Sequence, residues 1–196
     1  MALEDMGIIR SIPNITLVEP VDGVMFADIL RQAAATKRQF FISVFLRKMA
    51  VKIYEEGSTF EIGKAITLRE GTDVTIFASG ICVADALTAA DLLASQGVSA
   101  QVVNIFTIKP IDVEGITAAV SSTGAAVTAE NHNIIGGLGS AVAEVLSENC
   151  PVPLERIGVH DTFGEVGDVG YLKKRFQMTP DDIVRAALRA INRKNQ

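Results

Sequence analysis

The chain is poor in the residues that build local redox or metal sites. It has two cysteines and two histidines. Cys82 falls within a helical pattern and Cys150 directly precedes Pro151, with no Cys-x-x-Cys pair. Both are expected to be packing thiols rather than redox or metal ligands. His132 and His160 are far apart in sequence, so no local metal-ligand spacing exists, and only folding could bring them together. No apolar run reaches the length of a membrane-spanning helix, and Met1-Ala-Leu-Glu-Asp5 lacks the basic-then-apolar pattern of a signal peptide, so a cytoplasmic protein is expected. Acidic side chains outnumber basic ones, 23 to 18, for a net charge of −5. That balance argues against nucleic acid or an anionic membrane as the main partner. The phosphate-loop pattern Gly-x-x-x-x-Gly-Lys-Ser/Thr, the Gly-x-Ser-x-Gly elbow and His-Glu-x-x-His are all missing. No self-contained active site is legible.

What remains is an ordinary folded composition, with 48% hydrophobic and 21% charged residues in 196. That length suits one domain, or one domain and part of another. A short helix is predicted over 2–11, stopping before Pro13, then a strand at 15–18. Asp22 can cap a helix carrying Val24, Met25, Ile29 and Leu30 on one face, and 40–45 is a second strand. This αβαβ run is too small for a stable core of its own. Residues 49–70 have scattered charges and weak periodicity and read as a linker, with a short strand near 65–68. From Gly71 the pattern is regular. Strands at 73–78, 100–105, 125–129 and 154–158 alternate with helices after Ser79-Gly80, after Asp112, over 137–149 and from Thr179. Thr107–Pro110 reads as a turn. Thr179 as cap, Pro180 first and Asp182 third suit a helix start. Such alternation predicts an α/β fold with three α/β/α layers, a mostly parallel sheet and right-handed crossovers, preceded by the incomplete αβαβ segment.

The stretch richest in site-building chemistry is Glu130-Asn-His-Asn-Ile-Ile-Gly-Gly-Leu-Gly-Ser140. It follows a buried strand and opens a helix, the place where open α/β sheets bind ligands or partners. Gly136, Gly137 and Gly139 resemble a phosphate cradle but lack the full Gly-x-Gly-x-x-Gly spacing, so close packing of a helix start on the sheet is the better reading. His132, expected just past the strand end beside Glu130, is either a proton donor or ligand contact near a cleft, or a polar residue at a subunit contact. His160 is expected to hydrogen-bond in a loop. Arg47, after the 40–45 strand, is placed for a phosphate or carboxylate, or is a solvated surface arginine.

Four segments together resemble the C-terminal part of transketolases. They are Gly71-Thr-Asp-Val-Thr-Ile-Phe-Ala-Ser-Gly80, Thr107-Ile-Lys-Pro-Ile-Asp112, the Glu130–Ser140 run and Asp161-Thr-Phe-Gly-Glu-Val-Gly167. The likeness is greatest to the short C-terminal subunit of split transketolases. Leu3-Glu-Asp5, Ile12-Pro-Asn14 and Glu19-Pro-Val-Asp22 resemble the end of the preceding pyrimidine-binding domain. The resemblance implies that residues 1–48 end that domain, 49–70 link, and 71–196 form the C-terminal domain. It implies two-carbon ketol transfer between sugar phosphates, in the pentose phosphate pathway, with thiamine diphosphate and a divalent metal in the full enzyme. The cofactor-activating glutamate, the aromatic pocket, the histidine loop and the metal-binding Gly-Asp-Gly motif belong to upstream regions not matched here. No catalytic or metal-ligating residue and no bound cofactor is therefore expected in this chain alone. Arg47 is the one match to a position that contacts substrate phosphate, although Ser43-Val-Phe-Leu-Arg47 departs from the family pattern. Glu130, His132 and the three glycines are expected at a subunit contact or cleft rim. The implied partners are an N-terminal transketolase half and a second copy, giving a homodimer. Rival expectations are part of a deoxyxylulose-phosphate synthase or of a 2-oxo-acid dehydrogenase β subunit, or a non-catalytic module that binds a nucleotide or protein.

Overall fold

A computed structural model describes residues 3–44 and 51–196. In chain order the first elements are α1 (Asp5–Arg10), β1 (Ile15–Val18), α2 (Gly23–Ala35) and β2 (Gln39–Ile42). Then come β3 (Ile66–Arg69), β4 (Val74–Ala78), α3 (Cys82–Ala94), β5 (Ala100–Asn104), β6 (Thr107–Lys109) and α4 (Val113–Thr123). The chain continues through β7 (Ala126–Asn133), α5 (Leu138–Asn149), β8 (Leu154–Val159), α6 (Val169–Arg175) and α7 (Pro180–Lys194).

The larger sheet has the order β3-β5-β4-β7-β8, parallel except for the antiparallel edge strand β3. Its strands divide their side chains by the two-residue period of the pleat. Val74, Ile76 and Ala78 join the core beneath α3 and α7, while Phe77 points into the core beneath α4 and α5. Val102 and Val103 split in the same way, as do Ala126 and Val127. Burial on both faces explains why these strands read as continuous apolar runs. The result is the three-layer α/β/α arrangement that the sequence predicts.

The smaller sheet, β2-β1-β6, joins the N-terminal segment to the rest. β1 and β2 run parallel, and β6 adds antiparallel to β1. Residues 107–109 are thus a strand where a turn was predicted. Short polar-apolar runs carry little periodicity, and only the arrival of β1 gives their backbone groups a partner.

The stretch from 51 to 60 is tied to α2. Asp22 caps α2 through Met25 N at 2.9 Å, and its other oxygen accepts from Ile53 N and Tyr54 N, each at 2.9 Å. Asp28 accepts from Phe60 N at 3.0 Å. The Phe60 ring stands edge-on to Tyr54, with centroids 4.7 Å apart. The short strand predicted near 65–68 is β3 and belongs to the larger sheet. α6 was not predicted; its cap, Asp168, accepts from Tyr171 N at 2.9 Å. The Thr179–Asp182 capping box forms as expected.

Candidate functional site

In the larger sheet, the chain leaves β4 to build β5 on one side and later returns to build β7 on the other. The carboxyl ends of β4 and β7 therefore flank a topological switch point, the crevice where open α/β sheets bind ligands. Ser79 follows β4 and Glu130 and His132 lie in β7, so the sequence does deliver polar groups to this crevice.

The N-terminal segment fills it. Glu19, directly after β1, places one carboxylate oxygen 2.8 Å from His132 Nε2 and the other 2.5 Å from the donating Ser79 hydroxyl. Its own amide donates to Phe106 O at 2.7 Å. On the opposite edge of the ring, His132 Nδ1 lies 3.5 Å from Asp5 of α1, an ion-pair distance without a well-formed hydrogen bond. Glu19 and His132 are only 5% exposed. Burial disfavours an imidazolium here, but the Glu19 and Asp5 carboxylates outweigh it and raise the His132 pKa to about 10. The neighbouring His132 ring, opposed by burial, lowers the pKa of Asp5. The imidazolium is thus a buried cationic link between two N-terminal carboxylates and the sheet.

Glu130 does a different job. It is fully buried, and its two oxygens accept from Leu138 N and Gly139 N at 2.8 Å each. These are free amides at the start of α5, the position that a phosphate takes in a nucleotide cradle. The chain supplies its own anion there. Burial pushes the Glu130 pKa up to about 7 against the pull of the two amides and His132. A Cβ on Gly137 would lie 2.0 Å from the Glu130 carboxylate, which explains glycine at that position. Gly136, at φ 84°, lets the turn approach Gly7 of α1 so closely that a Cβ would sit 2.8 Å from its Cα. Asn133 N donates to Leu3 O at 2.8 Å, and Arg10 pairs with Glu144. The glycine turn is therefore a dock for the chain's own N-terminal helix.

Within this chain, Glu130, His132, Gly136, Gly137 and Gly139, expected at a subunit contact or cleft rim, pack against the chain's own α1, α5 and the end of β1. β7 runs on through His132 instead of ending at 129, with a register shift against β8 between Ala129 and Asn133. Polar residues continue this strand because Glu19, Asp5 and the α5 amides satisfy them. His160 is exposed directly after β8. Arg47 lies outside the described residues. Cys82 is buried in α3, and burial pushes its thiol pKa well up, as suits a packing cysteine. Glu19, Asp5 and Ser79 carry the network, yet each has no signal of its own in the sequence beyond membership of a family-like motif.

Neither a diphosphate nor a metal fits these groups. Both Glu130 oxygens and both Glu19 oxygens are engaged within the chain, and the α5 amides already hold a carboxylate. Among the described residues, no group of three or more His, Cys, Asp or Glu is placed to hold a metal ion. No helix among them is long and apolar enough to cross a membrane.

Residues 63–183 match the family model of the transketolase C-terminal domain. The chain belongs to the transketolase C-terminal domain family. It is 52% identical over 195 residues to a 6-deoxy-6-sulfo-D-fructose transketolase subunit from Clostridium sp. (strain MSTE9), covering 100% of this chain and 60% of that protein. It is 40% identical over 185 residues to a putative transketolase C-terminal section from Methanocaldococcus jannaschii, covering 93% of this chain and 57% of the relative. Among solved structures, a split-gene transketolase described as an inactive β4 tetramer superimposes with a TM-score of 0.90 at 39% identity, over 99% of this chain and 63% of that one. The chain thus spans about three fifths of the length of these transketolase relatives. The Glu130–Ser140 run lies within the matched family domain.

Proposed function

We propose that this chain is the C-terminal part of a thiamine-diphosphate-dependent transketolase, inactive alone, which acts with an upstream half carrying the cofactor-binding groups. Residues 1–48 then end the pyrimidine-binding domain, 49–70 link, with β3 at their end joining the C-terminal sheet, and 71–196 form the rest of the C-terminal domain. The observation that carries this reading is the crevice at the β4–β7 switch point. In a self-sufficient enzyme it would take a ligand; here Glu19 and Asp5 fill it, making it a joint between an N-terminal fragment and a C-terminal domain. The fragment's sheet stops at β2, whose outer edge pairs with no strand among the described residues. Phe40, Phe41 and Ile42 on it are only half-buried. An open edge of this kind is a template for further strands, and the upstream half would supply them.

The reaction is the transfer of a two-carbon ketol unit between sugars bearing a terminal anionic group. The name of the 52%-identical relative makes a sulfonate as eligible as a phosphate at that end. The chain's own residues hold the pyrimidine-domain fragment against the C-terminal domain, and no proton transfer is assigned to them. The chain also self-associates, as the split-gene relative does in its β4 tetramer. The test is a ketol-transfer assay with thiamine diphosphate and Mg²⁺, using fructose 6-phosphate and 6-deoxy-6-sulfofructose as donors. The chain alone is expected to be inactive, and activity is expected to appear on adding the upstream half. Turnover by the purified chain without that half overturns the proposal, as does a reconstituted pair that transfers no ketol unit from either donor.

A further inference from the structure

β8 is an edge strand of the larger sheet, and its side chains alternate between the two faces. Leu154 packs on the α5 side and Ile157 on the α7 side, so Arg156 leaves on one face and Glu155 on the other. A cleft of about 420 Å³ is lined from both: by Arg156, and by Arg185 and Arg189 of α7, with His160 and Gln177. Charges also blunt exposed sheet edges, but blunting does not require three guanidinium groups on one concave site. Each of the three spends one bond within the chain and keeps its other donors. Arg185 pairs with Asp182, and Arg189 Nε lies 3.0 Å from Glu155. The second oxygen of Asp182 is taken by the α7 capping box, and that of Glu155 by Arg193 at 2.7 Å. Both carboxylates are therefore fully used. Arg156 donates only to a neutral carbonyl, that of Ile134 at 3.1 Å, and pairs with no carboxylate among the described residues. Four arginines against two carboxylates leave this edge with surplus positive charge, in a chain of net charge −5. Gln177 closes α6 at φ 55°, a left-handed position that glycine takes at lower cost, and it sets a side-chain amide at the cleft.

We propose that this cleft binds an oxyanion, the phosphate or sulfonate head group of a small molecule. The planar guanidinium fork matches such groups with paired N–H bonds. Arg156 brings the charge that nothing in the chain compensates. Arg185 and Arg189, held in place by their own acids, bring further donors from the facing helix. A cation would meet the surplus positive charge and be repelled. The site is separate from the β4–β7 crevice, whose carboxylates and amides are engaged with one another. An anion here would tie β8 to α7, so its binding raises the stability of the fold. The cleft is built from this chain alone and does not depend on the transketolase reading.

Calorimetric titration and thermal unfolding of the chain at pH 8 test the proposal, with inorganic phosphate and methanesulfonate as probes and chloride at equal ionic strength as control. At least one probe is expected to bind saturably, with a dissociation constant on the order of 1 mM, and to raise Tm where chloride does not. Arg156→Gln is expected to weaken binding roughly tenfold, the loss of a charge-assisted bond, and Arg185→Gln/Arg189→Gln at least as much. Arg69→Gln removes a guanidinium that pairs with Asp91 on the opposite edge strand, β3, and should leave binding unchanged. Circular dichroism checks folding; if the double variant does not fold, the exposed Arg156 position decides alone. Binding of one probe and not the other supports the site and names its head group. A Tm rise that chloride matches, no saturable binding of either probe, or an affinity that survives Arg156→Gln overturns the site. Any of these leaves the transketolase reading standing, because ketol transfer is assayed separately.

Discussion

Replacing His132 by Ala tests the joint between the N-terminal segment and the sheet. The imidazolium sits 2.8 Å from Glu19 and 3.5 Å from Asp5, and both His132 and Glu19 are buried. Its removal strands the Glu19 carboxylate in the crevice with only the Ser79 hydroxyl. A rise in pKa from 6.5 to about 10 corresponds to about 5 kcal/mol of preference for the protonated ring, at about 1.4 kcal/mol per unit. Part of this comes from Asp5, whose side chain is 29% exposed and screened by water. Breaking a buried ion pair from one side typically costs about 3–5 kcal/mol, so the two routes agree. For a chain of this size that is a fall in Tm on the order of 10 °C. The pH dependence has a definite sign. The folded pKa is raised above the unfolded one, so the pair's contribution is complete below about pH 6.5 and disappears as pH rises through about 10. Urea unfolding of the chain and of His132→Ala at pH 6, 8 and 10 should show a gap of several kcal/mol that narrows steadily. His132→Gln, which keeps a hydrogen bond to Glu19 without the charge, should fall between them at pH 6 and converge with the parent at pH 10. A gap under about 1 kcal/mol at pH 6, below the cost of any buried ion pair, or a gap independent of pH, refutes the charged joint.

Three further outcomes follow from the same geometry. Glu130 has a folded pKa raised to about 7, so the chain should lose about 3 kcal/mol of stability as pH rises from about 4.5 to 7. Glu130→Gln should flatten that slope, and an unchanged slope in urea titrations counts against burial as its cause. Gly137→Ala sets a methyl group against the capping carboxylate and should cost about 2 kcal/mol or more through loss of charge-assisted bonds to the α5 amides. If Glu130→Gln is already present, the extra cost should shrink, and strict additivity of the two changes would show that they do not act through one contact. Asp22→Ala should cost more than the usual ~1 kcal/mol of a helix cap, because Asp22 also holds Ile53 N and Tyr54 N. Hydrogen exchange should find those two amides less protected in the variant, and unaltered protection there would contradict the tie.

The regular elements from β4 onward were legible because strand burial on both faces and helical periodicity are one-dimensional signals. The capping residues Asp22, Asp112 and Thr179 were legible for the same reason: each acts within three residues of itself. β6, α6 and the extension of β7 through His132 were not. β6 pairs only because β1 arrives from ninety residues upstream, and β7 keeps Glu130 and His132 only because their partners come from α5, α1 and the end of β1. The glycine run shows the division most clearly. Its pattern showed that a helix starts close to a sheet there, but not that the anion at that helix start is Glu130 itself.

The sequence alone therefore determined the layered α/β architecture, the helix starts, the packing role of the two cysteines and the family likeness. Each depends on residue type, spacing or a short motif. Tertiary structure alone decided that the switch-point crevice is filled, that His132 is held charged between Glu19 and Asp5, and that Arg156, Arg185 and Arg189 line one cleft. Those facts depend on which distant groups meet in space and on how much water is excluded when they do, and no local pattern of residues records either.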